Sequence, residues 1–353
     1  MQSRSFVAAA VCTLAITAAV LLAASRSDLA GAIGPATELP PETAKLIAEY
    51  QRPSSIPFPE DNPHSDAKER LGRALFFDPR LSRSSMQSCS SCHNPSFAWG
   101  DGLPKGVGDR MTQLGRRSPS ILNLAWAEAF MWDGRFETLE QQALGPIQSG
   151  VEMNMSVADL LPRLQAIGEY RRLFAAAFDG NPEITADKIA MSIATFERTV
   201  VSGAAPFDRW TAGDAGAISE AAQRGFVLFN GKANCAACHS GWRFTDDSFH
   251  DIGLPGDDIG RGKQLPNIEK MQHAFKTPGL RNIDRRFPYM HDGSASTLEA
   301  VIELYNTGGI QRASRSDEIK PLGLTEQEKA DLLEFLKTLT GDDPPVQYVM
   351  LPR

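Results

Sequence analysis

Apolar side chains recur at helical spacing along much of the chain, and neither half shows the apolar–polar alternation that is typical of strands. One helix is predicted to begin after Ser156, and its apolar face consists of Val157, Leu160, Leu161, Leu164 and Ile167. Another is predicted to begin at Thr185, and its apolar face consists of Ile189, Ile193, Phe196 and Val200. Because both patterns follow the helical period of about 3.6 residues, the sequence predicts an all-α fold with little β structure.

The other predicted helices are shorter and are separated by long loops. They lie at residues 68–77, 122–132, 138–143, 219–229 and 297–305, and a last helix follows a capping box formed by Thr325 and Glu328. Residues 94–119 contain many Gly, Pro and Asp, and residues 241–274 are similarly loop-like. A Gly/Ala/Pro-containing link at residues 202–216 indicates a boundary between two domains.

A short cysteine motif lies between the first helix and the first long loop. Cys89 and Cys92 flank two serines, and His93 follows directly. This spacing is the signature of a c-type haem, whose two vinyl groups bind the thiols while the adjacent imidazole ligates the iron. The alternatives are a zinc site, which needs two more ligands that are not found nearby, and a redox pair, which does not require the histidine.

The same motif recurs in the second half of the chain. Cys235 and Cys238 flank two alanines, and His239 follows. The two motifs use every cysteine of the chain except Cys12, so the sequence predicts two covalently bound c-type haems with His93 and His239 as iron ligands.

The N terminus has the pattern of an export signal. Arg4 precedes a mostly apolar run at residues 6–24, and small residues at 23–25 or 30–32 offer a cleavage site. We therefore expect residues 1–32 to be a signal peptide and the mature protein to be periplasmic, with an uncleaved anchor as the alternative. Cys12 lies within this run and would be removed. Export agrees with haem attachment, since c-type haem is added after translocation.

Length and composition place the remaining chain among globular proteins. The 353 residues suffice for two domains, and 42% are hydrophobic and 22% charged. The formal charge of −7 argues against nucleic acid as a partner. We predict an extended lead-in at residues 33–65, an N-terminal domain at 66–205 and a C-terminal domain at 206–353. No membrane contact is expected beyond the signal segment.

Several stretches outside the haem motifs resemble the di-haem bacterial cytochrome c peroxidase/MauG superfamily. They are residues 71–82 (LGRALFFDPRLS), 132–135 (WDGR), 145–147 (GPI), 244–246 (FTD), 250–253 (HDIG), 275–282 (FKTPGLRN) and 288–293 (PYMHDG). The resemblance covers roughly residues 66–340. It implies two cytochrome c-like helical domains that face each other, with a peroxide-reacting N-terminal haem and an electron-transferring C-terminal haem.

Two departures from the peroxidases of this family change the expected chemistry. No histidine lies between His93 and His239, where peroxidases carry a releasable iron ligand. The first haem is therefore expected to keep an open sixth position, with Met111 or a lysine as the alternative ligand. Where peroxidases carry the methionine ligand of the second haem, this chain has Tyr305, which is the mark of the MauG-like branch.

Tyr305 also has a purely structural interpretation. It shares a predicted helix face with Leu298, Val301 and Ile302, and a tyrosine in such a place is usually part of the core. Rival ligands for the second haem are Met271, Met290, His250, His273 and His291.

The resemblance also assigns residues around the first haem. Glu140 matches the family's distal glutamate, which moves a proton during O–O cleavage, whereas Glu137 is better explained as a solvated first-turn residue. The distal glutamine position falls at Phe130. Trp126 and Trp99 are candidates for the tryptophan between the haems. The family's calcium site is doubtful here, since its asparagine position corresponds to Arg117.

Three functions agree with these features. We favour a MauG-like oxidase that uses hydrogen peroxide to form a high-valent di-haem state and oxidises Trp or Tyr side chains of a periplasmic partner protein. Tyr305 as a phenolate ligand would favour high-valent iron. The alternatives are a peroxidase that reduces peroxide with electrons from a small cytochrome c, and a non-catalytic di-haem electron carrier.

Overall fold

The computed structural model describes residues 41–347 and 349–353, and helices dominate this part of the chain. The helices are α1 (Pro41–Ala48), α2 (Asp66–Phe77), α3 (Cys89–Cys92), α4 (Leu139–Gln148), α5 (Val157–Gln165), α6 (Gly168–Ala177), α7 (Ala186–Thr199), α8 (Pro206–Thr211), α9 (Glu220–Asn230), α10 (Leu298–Thr307) and α11 (Glu326–Lys337). The strands β1 (Phe249–His250) and β2 (Phe275–Lys276) pair antiparallel. The predicted all-α class is confirmed.

The N-terminal core forms where α2 crosses α7, with α4, α5 and α6 around them. The four helices α2, α4, α5 and α7 each begin at a Ser or Thr whose side chain accepts a backbone N–H three residues further on, which satisfies one otherwise unpaired donor. The close crossing depends on Gly72, because a Cβ there would lie 1.8 Å from the backbone oxygen of Ser192.

The C-terminal core repeats this arrangement with α9 against α11. Gly225 of α9 again allows the close approach, since a Cβ would lie 2.0 Å from the backbone oxygen of Asp331. Phe207 and Trp210 of α8 are fully buried in the same core. The predicted link at residues 202–216 therefore contains a helix that already belongs to the C-terminal core.

The stretch that leads into α4 is repeated before α10. The shared features are an asparagine with positive φ, an isolated bridge and a capping threonine: Asn123, Phe130–Phe136 and Thr138 in the first half, and Asn282, Tyr289–Ala295 and Thr297 in the second. Residues at equal distances after the two threonines therefore occupy corresponding positions in the two domains.

The two ends of the described chain cross between the domains. Ile47 and Tyr50 are buried in the C-terminal core, and the Tyr50 hydroxyl donates to Asn230 Oδ1 at 2.7 Å. Near the C terminus, the carbonyl of Pro352 accepts a hydrogen bond from the Arg80 guanidinium at 2.8 Å. Each domain is thus held in part by a segment from the far end of the sequence.

Part of the lead-in is helical, although the sequence predicted an extended segment at residues 33–65. Residues 41–48 form α1, because Ile47 and the following Tyr50 gain a buried apolar surface that their local sequence does not reveal. The predicted signal peptide at residues 1–32 lies outside the described residues. Among the residues that are described, no helix has the length and apolar character needed to cross a membrane.

Gly72→Ala is expected to destabilise the protein by at least about 1–3 kcal/mol, because the added methyl group collides with the backbone of α7. Thermal unfolding of the haem-containing protein measures the loss. Gly168→Ala is the matched control, since its Cβ would meet nothing closer than the Arg171 guanidinium at 3.6 Å. Equal melting temperatures for both variants would contradict the close helix crossing.

Candidate functional site

Each cysteine motif forms a single helical turn at the wall of a cavity. Cys89 and Cys92 begin and end α3, and His93 closes that turn. The second motif forms a 3₁₀ turn at Cys235–Ala237 beside the second cavity. Both thiols and the imidazole of a motif therefore reach one cavity, as a covalently attached haem requires.

The two imidazoles are oriented by backbone carbonyls. His93 Nδ1 lies 3.3 Å from the carbonyl oxygen of Trp99, and His239 Nδ1 lies 2.8 Å from that of Phe244. A donated Nδ1–H leaves Nε2 as the free lone pair, which is the arrangement that orients a metal-ligating histidine. Burial lowers the pKa of both imidazoles, which keeps them in the neutral, ligating form.

The surroundings of the thiols fit thioether bonds better than zinc or redox chemistry. Desolvation raises the pKa of Cys92 to about 11 and that of Cys235 to about 12, and it raises the pKa of Cys89 further. Zinc binding and disulfide exchange need thiolates, which this burial disfavours. A thioether carries no charge, so the apolar walls accept it without penalty.

The first cavity is closed on one side by α4. Gln142, Ala143 and Pro146 of this helix line it, together with the buried Phe130. Phe130 makes this wall apolar where the family has a glutamine. The suggested substitute ligand Met111 is wrong for this structure, since it is 82% exposed and does not line the cavity.

The structure does not bring Glu140 to the cavity. Its carboxylate accepts hydrogen bonds from Arg198 at 2.6 and 3.1 Å and from Asn62 at 2.6 Å. The Arg198 and Asn62 bonds outweigh burial and lower the pKa of the carboxyl group. Glu140 as the distal acid therefore stays a prediction, and in this structure Arg198 of α7 and Asn62 hold its carboxylate apart from the residues that line the cavity.

A carboxyl group that sequence reasoning missed lies on the wall instead. Glu197 of α7 is 4% exposed, lines the first cavity, and its Oε2 has no hydrogen-bond partner among the described residues. Desolvation raises its pKa to about 8. The only signal in the sequence was a carboxylate next to the apolar Phe196 on a buried helix.

Tyr305 lies on the wall of the second cavity, as does the motif residue His239. Its hydroxyl forms no hydrogen bond within the described part of the chain, and burial raises the pKa of the phenol. Tyr305 is half-buried, and its hydroxyl is not among the fully enclosed polar atoms without a partner, so it remains accessible to a ligand in the cavity. A ferric iron would both bind the oxygen and lower that pKa.

Four rival ligands of the second haem also line this cavity: His250, His273, His291 and Met290. His250 contacts Asp246 at 2.7 Å, and His273 Nδ1 lies 3.2 Å from the carbonyl of Asp258, which is the same kind of contact that orients His93 and His239. His291 stacks on the Phe275 ring with a centroid separation of 3.5 Å. These four residues therefore remain competitors of Tyr305. Met271 does not line the cavity.

The corresponding helices α4 and α10 present different side chains to the two cavities. Tyr305 follows the capping Thr297 by eight residues, and Pro146 follows the capping Thr138 by eight. Both residues face their cavities. Proline has no side-chain atom that can ligate iron, so the position that offers an oxygen ligand in the second domain offers none in the first.

Trp132 lies between the two cavities and lines both. Its indole N–H donates to the carbonyl of Arg117 at 2.8 Å. Of the predicted candidates, Trp99 packs among the phenylalanines of the N-terminal core, and Trp126 meets Trp242 edge-to-face at 4.7 Å across the domain contact. Neither of these two lines a haem cavity, whereas Trp132 lines both; which tryptophan lies between the haems stays a prediction.

The residue at the doubtful calcium position is also engaged. The Arg117 guanidinium donates to the carbonyl oxygen of Arg286 at 2.5 Å. That oxygen would otherwise be available to a cation. Calcium remains an untested prediction, although a buried guanidinium beside its proposed ligand is unfavourable for it.

Comparisons with known proteins support this description. The family model described as "Di-haem cytochrome c peroxidase" matches residues 66–216, and that of "Cytochrome c" matches residues 222–340. The methylamine utilization protein MauG of Methylorubrum extorquens is 52% identical over 88% of this chain and 89% of its own length. The cytochrome c551 peroxidase of Nitrosomonas europaea is 36% identical over 82% of this chain and 85% of its own length.

A solved structure agrees with the fold. A MauG-like protein associated with microbial copper homeostasis superimposes with a TM-score of 0.77 at 36% identity, which covers 83% of this chain and 95% of the other. Two cavities with c-type attachment motifs, the family models and these relatives lead to one conclusion. The chain belongs to the di-haem cytochrome c peroxidase/MauG family and is an oxidoreductase with two c-type haems.

Proposed function

We propose that this protein uses hydrogen peroxide to oxidise a Trp or Tyr side chain of a partner protein. The observation that carries the proposal is the difference between Pro146 and Tyr305 at corresponding places in the two cavities. Pro146 would leave room for peroxide at the first haem, whereas the Tyr305 oxygen would suit a second haem that is kept oxidised. The high identity to a MauG protein supports the same choice.

When bound, the haems supply the redox chemistry: peroxide takes up two electrons and two protons to give two waters, and the partner side chains lose those two electrons. The protein's own residues then have distinct tasks. His93 and His239 would hold the two irons. The Tyr305 oxygen would supply an anionic donor, which would lower the reduction potential of the second haem and favour its oxidised form. Glu197 holds a proton beside the first cavity.

Glu197 suits proton transfer because its carboxyl group is neutral at physiological pH. The raised pKa of about 8 means that the group carries a proton below that pH and loses it above. The wall residues Phe130 and Pro146 offer no proton of their own. Cleavage of peroxide needs a proton on the outer oxygen, and Glu197 is the buried, unpartnered carboxyl group of this wall.

The second candidate is a peroxidase that reduces peroxide with electrons from a small cytochrome c. Met290 on the wall of the second cavity favours it, since a thioether ligand would raise the potential of that haem. The electron-carrier alternative is disfavoured by Pro146, because a carrier needs both irons six-coordinate. The partner of the favoured reaction is a second protein whose oxidisable side chain need not enter either cavity.

We infer a periplasmic location from the chemistry of the cofactor. c-type haem is attached after export, and the N-terminal apolar run has the pattern of an export signal. The protein partner would then be exported as well.

The mature protein should carry two covalent haems. Mass spectrometry should find the polypeptide heavier by two haem groups, and the double change Cys235→Ser and Cys238→Ser should leave one, because α3 and its cavity do not depend on the second motif. A wild-type protein with a single haem would overturn the two-site interpretation.

Tyr305→Met should keep both haems, raise the reduction potential of the second and abolish oxidation of the partner. The physical reason is that a thioether stabilises the ferrous form, whereas a phenolate stabilises the ferric form. Spectroelectrochemistry measures the potentials, and mass analysis of the partner measures its oxidation after peroxide is added without prior reduction.

Tyr305→Phe is the control for this change, since it removes only the oxygen and keeps the ring. It should open the second sixth position and lose partner oxidation as well. If both variants oxidise the partner at the wild-type rate, Tyr305 is only a core residue. The peroxidase alternative would be favoured if the wild type leaves the partner unoxidised and reduces peroxide only with electrons from a cytochrome c.

Glu197→Gln should slow the reaction with peroxide by about 10²–10⁴-fold, since it removes the buried proton donor. In the wild type the rate should fall as the pH rises through about 8, and this step should be absent from the variant. Stopped-flow absorbance of the haem measures both.

Glu140→Gln is the matched control, because this carboxylate is bound to Arg198 away from the cavity. It should react with peroxide at nearly the wild-type rate but lose about 1–3 kcal/mol of stability. A large rate loss in this variant, with none in Glu197→Gln, would restore Glu140 as the distal acid.

A further inference from the structure

Two buried arginines lie between the haem cavities. Arg117 comes from the loop after the first motif and is 4% exposed; Arg286 comes from the C-terminal domain and is 7% exposed. Both side chains line the first cavity and the second. The two guanidiniums therefore sit where the two domains and the two cofactors meet.

Neither guanidinium has a carboxylate partner. Within residues 41–347 and 349–353, no acidic oxygen lies within 4.0 Å of either one, and the Nε of each lacks any hydrogen-bond partner. Their hydrogen bonds go to backbone carbonyls: Arg117 to that of Arg286 at 2.5 Å, and Arg286 to that of Gly279 at 2.5 Å. The neighbouring Arg116 differs, since it binds both Asp133 and Asp258.

Two buried like charges without an anion are strongly unfavourable. Desolvation lowers the pKa of both groups, that of Arg286 to about 9, and the charge of Arg117 lowers the pKa of Arg286 further. A guanidinium stays charged in proteins, so relief must come from a negative group. Lys276 lines the same two cavities but has Asp247 at 2.8 Å as its partner.

We propose that Arg117 and Arg286 bind the propionate carboxylates of the two haems and so join both cofactors through one pair of guanidiniums. Each haem brings two propionates into its cavity, and these are the anions that the unpartnered Nε–H groups lack. A guanidinium matches a carboxylate in a bidentate fork. Because Arg117 also donates to the carbonyl of Arg286, the contact links the N-terminal domain to the C-terminal domain.

This arrangement rests on the two haems of the family and goes beyond the reaction proposed above. Positive charge beside a haem favours its reduced form, so both arginines should raise the potentials that Tyr305 lowers. The pair also keeps the propionates ionised, because an opposite charge favours the charged form. The arginines are therefore positioning residues that set the potentials without touching peroxide.

The test compares the haem-loaded proteins Arg117→Gln, Arg286→Gln and Arg117→Lys with the wild type. Spectroelectrochemistry should show that each glutamine variant shifts the ferric/ferrous equilibrium of at least one haem tenfold toward ferric, which is about 59 mV for one electron. The potentials should become pH-dependent as the released propionate takes up a proton. Arg117→Lys should leave the reduction potentials of both haems close to their wild-type values, since it retains the positive charge. It should nevertheless change the propionate bending bands in the resonance Raman spectrum.

Arg80→Gln is the control, because this guanidinium pairs with the buried Asp78 at 2.6 Å and lines neither cavity. It should lose stability but keep the wild-type potentials and Raman bands. Glutamine variants that retain two haems with unchanged potentials and bands would overturn the proposal. So would wild-type potentials that vary with phosphate concentration, since the bound anion would then be exchangeable and not a propionate. None of these measurements depends on oxidation of a partner protein. The proposed function can therefore fail while the arginine–propionate proposal holds, and the reverse is also possible.

Discussion

An iron held by a covalently attached haem and one histidine has a single remaining axial position, and the whole chemistry depends on what the protein offers there. The stretch before α4 is repeated before α10, so corresponding helices lie beside the two cavities. They present Pro146 to the first cavity and Tyr305 to the second. Under the proposed function, this one difference would make one haem a reaction centre and the other an acceptor of oxidising equivalents.

The rest of the structure keeps these two centres close and buried. Gly72 and Gly225 allow the central helices of each domain to cross in contact, and the chain ends cross between the domains. Trp132 and the two unpaired arginines lie where the cavities meet. Under the two proposals, a Tyr305 ligand would lower the reduction potential of the second haem, whereas the guanidinium pair would raise the potentials of both haems. The balance of these two effects on the reduction potentials would set how readily oxidising equivalents are shared between the two haems.

The sequence predicted the features that depend on short spacing. The two cysteine motifs, the helical class and the capping residues Thr185 and Thr325 all follow from neighbours in the chain, and the structure has each of them. Tyr305 was a prediction from family resemblance, and its place on the cavity wall agrees with that prediction without testing ligation.

Contacts between distant segments could not be predicted from the sequence. Glu140 lies on the expected helix, but its ion pair with Arg198 from α7 and its hydrogen bond from Asn62 of the lead-in depend on the tertiary fold. Glu197 could not be recognised, because burial next to a cavity is a tertiary property. Ile47 of the lead-in helix and the following Tyr50 are buried in the C-terminal core, which is a contact between distant parts of the chain. No local pattern carries this information.

The most direct test of the central claim is electron paramagnetic resonance, combined with near-infrared absorption, on the resting diferric wild-type protein. The account predicts one high-spin ferric haem with an open position and one six-coordinate low-spin ferric haem, without the charge-transfer band of a thioether ligand. Two low-spin haems, or a thioether band from Met290, would contradict the assignment of different tasks to the two irons.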